Sequence, residues 1–153
     1  MMGHMATTTR TAPLAQLGVL LAGRGAVASA RVRDTLAAQG LTMRCVYTLT
    51  HLADGPVNQQ ALIDLLGVDP SALVAVLNEL ESLGMASRQR DAADRRRHIV
   101  TITPRGTAAL QSVESALDGA DDDLFAALSS DERDQLERLL TKVADAGSCG
   151  DKY

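Results

Sequence analysis

A mainly α-helical chain with one small β-ribbon is what this sequence predicts, and three observations predict it. Apolar residues recur at spacings of three and four over several long stretches, the pattern of amphipathic helices. Two of those stretches, about 59–66 and 70–83, are separated only by Gly67, Val68 and Asp69, a glycine-containing turn of the length that joins a helix-turn-helix pair. Between residues 86 and 102 the pattern changes to two short runs flanking Asp91-Ala92-Ala93-Asp94-Arg95-Arg96-Arg97, a ribbon with a charged tip.

Each element follows from local chemistry. Met1 to Met5 reads as a tag remnant, and residues 1–12 as a disordered N-terminus. From Pro13 to about Ala38, Leu14, Leu17, Leu21, Ala28, Val32 and Leu36 line one face of a first helix. Gly23 and Gly25 interrupt it at roughly 1 kcal/mol each relative to alanine, and mark a kink or a close approach by another backbone. Gly40 stops it. Thr42 caps a second helix over about 43–53, closed by Asp54-Gly55-Pro56. The third helix spans about 59–66. Asp69 caps the fourth, with Pro70 at its first position and Leu73, Val76, Leu77 and Leu80 as its core stripe, and Gly84 ends it. The ribbon strands are about 86–90 and 97–102. Thr103 and Pro104 open a fifth helix that runs to about Leu128. Ser129 and Glu132 form a capping box for a sixth, which carries Leu136, Leu139, Leu140 and Val143 at core spacing. Residues 147–153 have no periodicity and read as a flexible tail.

The middle of the chain, 41–103, therefore assembles as a winged helix-turn-helix. The helices at 13–40 and 104–146 have apolar faces with nothing in their own half of the chain to cover them. They form a helical dimerisation region, a two-fold pair being the commonest closed solution.

Composition narrows the function classes. The net charge of −4 excludes a uniformly basic polyanion binder, but the charge is polarised. Residues 88–105 hold six arginines against Asp91 and Asp94, whereas 114–134 hold eight acids against Arg133 alone. Such a molecule would be oriented as it approaches a polyanion. With only Tyr47, Phe125 and Tyr153 as aromatics, base-stacking modes of single-strand or RNA recognition are disfavoured, and duplex DNA remains open. Cys45 and Cys149 make no disulfide framework, no secretory signal is visible and no apolar run approaches the ~18 residues of a membrane span. A cytoplasmic protein with no membrane partner is expected.

This order of elements, with the residues filling it, resembles the MarR family of bacterial transcription regulators. Gly40-Leu41-Thr42, Asp69-Pro70-Ser71 and Leu77-Asn78-Glu79-Leu80-Glu81-Ser82-Leu83-Gly84-Met85 carry part of the similarity. Its most specific part pairs Asp91-Ala92-Ala93-Asp94-Arg95-Arg96-Arg97 with Ile102-Thr103-Pro104-Arg105-Gly106, and Leu128-Ser129-Ser130-Asp131-Glu132-Arg133 extends it to the last helix. The resemblance implies a homodimer on a pseudo-palindromic double-stranded operator. It also implies a repressor released by a small aromatic or anionic effector, or by oxidation. It implies further that Arg96 enters the minor groove and that Asp94 holds it, which agrees with the lower entropy cost of a pre-oriented arginine. A winged-helix protein-interaction module without DNA binding is the competing class, resting on the apolar positions Ala72, Val74 and Ala75.

Beyond Asp94 and Arg96, the expected DNA-binding residues are Gln59 and Gln60 at the start of the third helix, and Pro70, Ser71, Ala72, Val74, Ala75 and Asn78 on the recognition helix. Arg88, Arg90, Arg95 and Arg97 join them on the wing. The family pattern would place a polar residue near 72 and an arginine near 75. Alanine stands at both, which moves weight to the wing and to DNA shape. Arg24, Met43, Tyr47 and His51 are expected to line an effector pocket where the first, second and fifth helices meet the DNA-binding lobe. Cys45 is either an oxidation sensor or a buried inert thiol. The second reading is favoured, because only the neighbouring Arg44 could activate it. Cys45 and His51 fall about 240° apart on a helix, and no cluster has metal-ligand spacing. No nucleophile elbow, phosphate loop or paired-carboxylate site is present, so neither an enzyme nor a cofactor is expected.

Overall fold

The computed structural model describes residues 16–91, 94 and 97–147. In chain order it contains α1 (Leu17–Ala38), α2 (Met43–Ala53), β1 (Val57–Asn58), α3 (Gln59–Leu66), α4 (Pro70–Ser82), β2 (Ala86–Arg90), β3 (His98–Ile102), α5 (Pro104–Leu124) and α6 (Ser130–Gly147). The expected succession holds, with one addition and one correction. The ribbon is a three-stranded antiparallel sheet in the order β1-β3-β2, because Val57 and Asn58 pair with Val100 and Ile99. The fifth helix ends at Leu124, not near Leu128. Leu128 N–H turns back to the Phe125 carbonyl at 2.9 Å. Arg133 of α6 donates to the same carbonyl at 3.1 Å and to Asp122 at 2.7 Å. The first turn of α6 thus satisfies the end of α5.

The helix starts are capped as their sequences require. Thr42 accepts from Cys45 N–H, Asn58 from Gln60 N–H, Asp69 from the Ser71 and Ala72 N–H groups, and Thr103 from Gly106 N–H. Ser129 and Glu132 form the reciprocal capping box, with Ser129 N–H on the Glu132 carboxylate at 2.8 Å and Glu132 N–H on the Ser129 hydroxyl at 3.4 Å. α1 runs unbroken through Gly23 and Gly25, and an added Cβ at either would meet nothing within 4 Å. Among the described residues neither glycine therefore serves a close approach by another segment. The expected helix start at Pro13, the N-terminal segment and the tail with Cys149 lie outside the described residues.

The core belongs mostly to the middle of the chain. Leu49, Leu52, Leu62, Leu73, Leu77, Leu80 and Val100 are wholly buried, joined by Leu36 from α1 and Val113 from α5. Each such side chain contributes about 1.5–3 kcal/mol relative to leaving it in water.

One knot fixes α5 to this lobe. Gly84 takes the left-handed conformation, φ 68°, that ends α4 and lets Met85 N–H return to the Leu80 carbonyl at 2.8 Å. Thr103 then donates its N–H to the Met85 carbonyl at 3.0 Å and its hydroxyl to the Gly84 carbonyl at 2.7 Å. Gly106 sits so close to this turn that a Cβ would lie 2.1 Å from the Met85 oxygen and 2.8 Å from Ile102 Cγ1. Only glycine fits there, which is the physical content of the Thr103-Pro104-Arg105-Gly106 motif.

The terminal helices are different. α1 leaves Leu17 83%, Val27 51% and also Val19, Leu20 and Leu21 exposed. None of the described side chains of α6 is buried, and Leu139, Leu140 and Val143 stand open. No single helix among the described residues is long and apolar enough to cross a membrane.

Candidate nucleic-acid interface

α3 and α4 meet at a bend of 112°, within the range of helix-turn-helix pairs. Gly67, with φ 61°, ends α3 and reverses the chain. Asp69 then fastens α4 by accepting from the N–H groups of Ser71 and Ala72, both at 3.2 Å, and from the Ser71 hydroxyl. The Ser71 hydroxyl, followed by the Ala72 N–H, holds the Asp69 carboxyl below the usual carboxylate range. The proton of Ser71 is thereby used within the cap.

Leu73, Val76, Leu77 and Leu80 turn α4 onto the core, which leaves Pro70, Ser71, Val74, Ala75 and Asn78 exposed. Ala72 does not join that exposed set; it is half-buried and lines two cavities behind the helix. At the start of α3, Gln59 is half-buried and Gln60 exposed, its side-chain amide reaching Asp64 at 3.5 Å.

The wing stands beside α4. β2 and β3 pair from Ala86–Ile102 to Arg90–His98, and the tip closes through Asp91 N–H on the Arg97 carbonyl at 2.9 Å. Arg97 N–H reaches the Asp94 carbonyl at 2.9 Å, and the two side chains form an ion pair at 3.3 Å. Arg90 and Arg97 are exposed. Arg95 and Arg96, and with them the expected hold of Asp94 on Arg96, lie outside the described residues.

Arg88 is placed differently from Arg90 and Arg97. Its backbone N–H donates to Glu81 Oε1 at 2.9 Å and its Nε to Glu81 Oε2 at 3.0 Å, while Nη2 bonds both Glu81 Oε2 and Asn78 Oδ1. Glu81 thus occupies an outer-edge N–H of the sheet and, held chiefly by the Arg88 side chain, keeps its carboxyl below the usual range. Sequence reasoning missed Glu81. Its seven-residue separation from Arg88 across the Gly84 turn was the available signal.

Two cavities separate α4 from the helices behind it. One, about 280 Å³, is lined by Met43, Arg44, Tyr47, Thr48, Leu66, Val68, Ala72, Leu73 and Val76. The other, about 640 Å³, lies between α1, α2 and α4, with Arg33, Leu36, Met43, Arg44, Ala75, Val76 and Glu79 among its walls. Met43 and Tyr47 of the expected pocket are at the smaller cavity; Arg24 and His51 line neither. The cations present are instead Arg44 and, in the larger cavity, Arg33. Arg44 was legible one residue after Met43 and three before Tyr47, whereas Arg33 reaches the site only through the packing of α1.

Cys45 is wholly buried and accepts a hydrogen bond from the Thr42 hydroxyl at 3.1 Å. Burial pushes its thiol up, outweighing the hydrogen bonds of Thr42. Among the described residues no group of three His, Cys, Asp or Glu side chains could hold a metal ion.

A bent helix pair, a three-stranded wing and a knot leading into a long fifth helix define a winged helix-turn-helix protein. The comparisons with known proteins give the family. A MarR family model matches residues 39–97. A candidate transcriptional regulatory protein for the hcr operon of Thauera aromatica is 36% identical over 123 residues, 78% of this chain and 74% of that protein. An HTH-type transcriptional repressor of Mycobacterium bovis is 31% identical over 84% of this chain and 94% of its own length. Among solved structures, wild-type MarR of E. coli in its apo form superposes with TM-score 0.70 at 25% identity, covering 83% of this chain and 95% of that one. The chain belongs to the MarR family: it is a winged-helix transcriptional regulator and not an enzyme.

Proposed function

We propose that this regulator works as a homodimer that binds a pseudo-palindromic duplex operator, represses, and is released by a small aromatic or anionic effector. The observation that carries the proposal is the exposed outer face of α4, held beside an arginine-bearing wing by Arg88 and Glu81. Two copies related by a two-fold axis would present two such faces about 34–36 Å apart, the spacing of successive major-groove half-sites. The open apolar faces of α1 and α6 supply the pairing surface. Repression is supported by the Mycobacterium bovis relative, which is named a repressor.

The effector reading rests on the cavities. Both have Ala72 and Val76 of α4 in their walls and Arg44 beside them, so an occupant bears directly on the recognition helix. Apolar walls with one or two guanidinium groups suit a flat acid. A structural relative, BpsR of Bordetella bronchiseptica, 25% identical with TM-score 0.69, is described as regulated in DNA binding by 6-hydroxynicotinic acid. An effector of this kind releases DNA only by favouring a dimer geometry with the wrong half-site spacing.

Titration of a duplex from the DNA flanking the coding region, across salt concentrations, tests the binding. Log affinity should fall steeply with log salt, and Arg96→Ala or Arg97→Ala should each reduce the slope by about 0.9 if the side chain neutralises one phosphate. Binding indifferent to salt and to both arginines would leave the protein-interaction reading in its place. For the effector, small aromatic acids should raise the melting temperature of the wild type and fail to do so for Arg44→Ala.

A further inference from the structure

The geometry points to Asn78 as a reader of base edges that acts chiefly as a donor, its carboxamide oriented by Arg88 from the wing. This rests on the DNA-binding reading above and specifies what one side chain of α4 contributes to it. Asn78 is exposed on the outer face of the recognition helix, between Val74 and Ser82. A free asparagine there would be ambiguous: it could turn either amide atom to the groove, or offer both to adenine, taking N6–H and giving to N7.

Asn78 is not free. Arg88 Nη2 donates to Asn78 Oδ1, and the same guanidinium is fastened to Glu81 through Nε, Nη2 and the Arg88 backbone N–H. An arginine has five N–H donors and no acceptor, so the amide atom facing it must be the oxygen. No flip of the side chain keeps that bond. The other branch is therefore the NH₂ group, and it is the better group left for DNA: Oδ1 keeps a second lone pair, but the guanidinium already on it weakens it as an acceptor. Bidentate pairing with adenine needs Oδ1 to take adenine N6–H as well as Arg88 Nη2, so adenine gains less from this side chain than it would from an unclamped one. Guanine, with O6 and N7 adjacent, and thymine, with O4, accept a donor; cytosine presents its N4 amino group and repels it. The ion pair that fastens the guanidinium is partly sheltered, with 23% of the Arg88 side chain and 31% of that of Glu81 exposed, while its bond to Asn78 lies at the surface.

The test is selection of binding sites by the full chain from randomised duplexes, with melting temperature and salt slope measured in parallel. The wild type should show one position in each half-site where cytosine is disfavoured about tenfold against guanine and adenine gains nothing over guanine. Asn78→Ala should flatten that position alone. Asn78→Asp, whose carboxylate Arg88 still holds, presents an acceptor and should turn the preference to cytosine. Releasing the clamp in the double variant Glu81→Gln/Arg88→Met should let adenine match guanine at that position; Arg88→Lys should partly restore the wild-type profile. Should the double variant fail to fold, Asn78→Asp decides alone. Adenine as the preferred base in the wild type, or one profile shared by wild type, Asn78→Ala and Asn78→Asp, overturns the inference while leaving DNA binding intact. A wild type that binds no duplex in a salt-dependent way overturns the DNA reading and the inference with it.

Discussion

The winged-helix lobe and the terminal helices solve the same burial problem in opposite ways. Between Leu41 and Ile102 the chain covers most of its own apolar side chains, with Leu65, Val74 and Tyr47 as exceptions, and the wholly buried leucines of α2, α3 and α4 share one core with Val100. α1 and α6 cover almost none of theirs: Val27, Leu139 and Val143 are each more than half exposed. Such faces are too extensive for a lone surface helix, whose polar side should dominate. The difference teaches where the chain satisfies its own apolar side chains and where it leaves them open. The lobe is shaped by contacts within the chain, whereas the arms carry the open apolar surface on which the proposed pairing rests.

The sharpest way to break the comparison is at the joint between the two regions. Gly106→Ala forces a methyl group against the Met85 carbonyl and Ile102, and backbone cannot retreat as a side chain would. Unfolding in urea should show a loss of at least about 3 kcal/mol, the upper end of overpacking costs. Gly23→Ala, on open α1, has no such neighbour and should instead stabilise by roughly 1 kcal/mol through helix propensity.

A smaller effect on stability but a larger one on assembly is expected in the arms. Leu139→Arg with Val143→Arg places two charges on the apolar face of α6, none of whose described side chains is buried. Sedimentation should show the double variant as a monomer, since each side chain otherwise buried contributes about 1.5–3 kcal/mol. Circular dichroism should show the winged-helix lobe still folded. A dimer that survives both charges would mean that α6 lies outside the interface.

The same contrast governs how much was legible beforehand. Asp69-Pro70, Thr103-Pro104 and Ser129-Ser130-Asp131-Glu132 announce helix starts because a cap is decided by the two to four residues that make it. β1 was not legible: Val57-Asn58 is too short to alternate and becomes a strand only through Val100 and Ile99, more than forty residues on. The end of α5 was overshot for a related reason. Phe125 and Leu128 continue an apolar pattern, and only Arg133 and the turn at Phe125 show that the helix has closed. At the candidate site the exposed face of α4 followed from helical periodicity, while the Glu81–Arg88–Asn78 cluster needed the wing to fold back on the helix. Cavity residues on α2 were half legible, and Arg33 on α1 was not.

Glu81 gives the lobe a weak acid sensitivity. Its carboxyl is lowered from the ordinary 4.5, chiefly by the Arg88 side chain, so the ionised form favours the folded state. The sign follows from that direction: the contribution is complete above pH 4.5 and fades as pH falls through the lower folded-state value. Glu81→Gln should therefore lower stability at neutral pH and flatten the decline below pH 4.5, read from melting temperature against pH. Because Glu81 is 31% exposed, solvent screens part of the effect.

The smallest expected effect is at Cys45, and it separates a packed sulfur from a sensing one. The side chain is wholly buried in the lobe, and burial outweighs the Thr42 hydrogen bonds and pushes the thiol up. At neutral pH the sulfur is then protonated, whereas the thiolate is the form that peroxide attacks. Arg44 is exposed at the cavity rim and supplies no lowering among the causes that act on the thiol. Cys45→Ala removes one buried sulfur at about 1 kcal/mol, the scale of a single buried group. If packing is its whole role, peroxide should release the variant and the wild type from DNA at the same concentration, in mobility shifts run side by side. A wild type released at a concentration that leaves Cys45→Ala bound would make the lobe's own core the sensor.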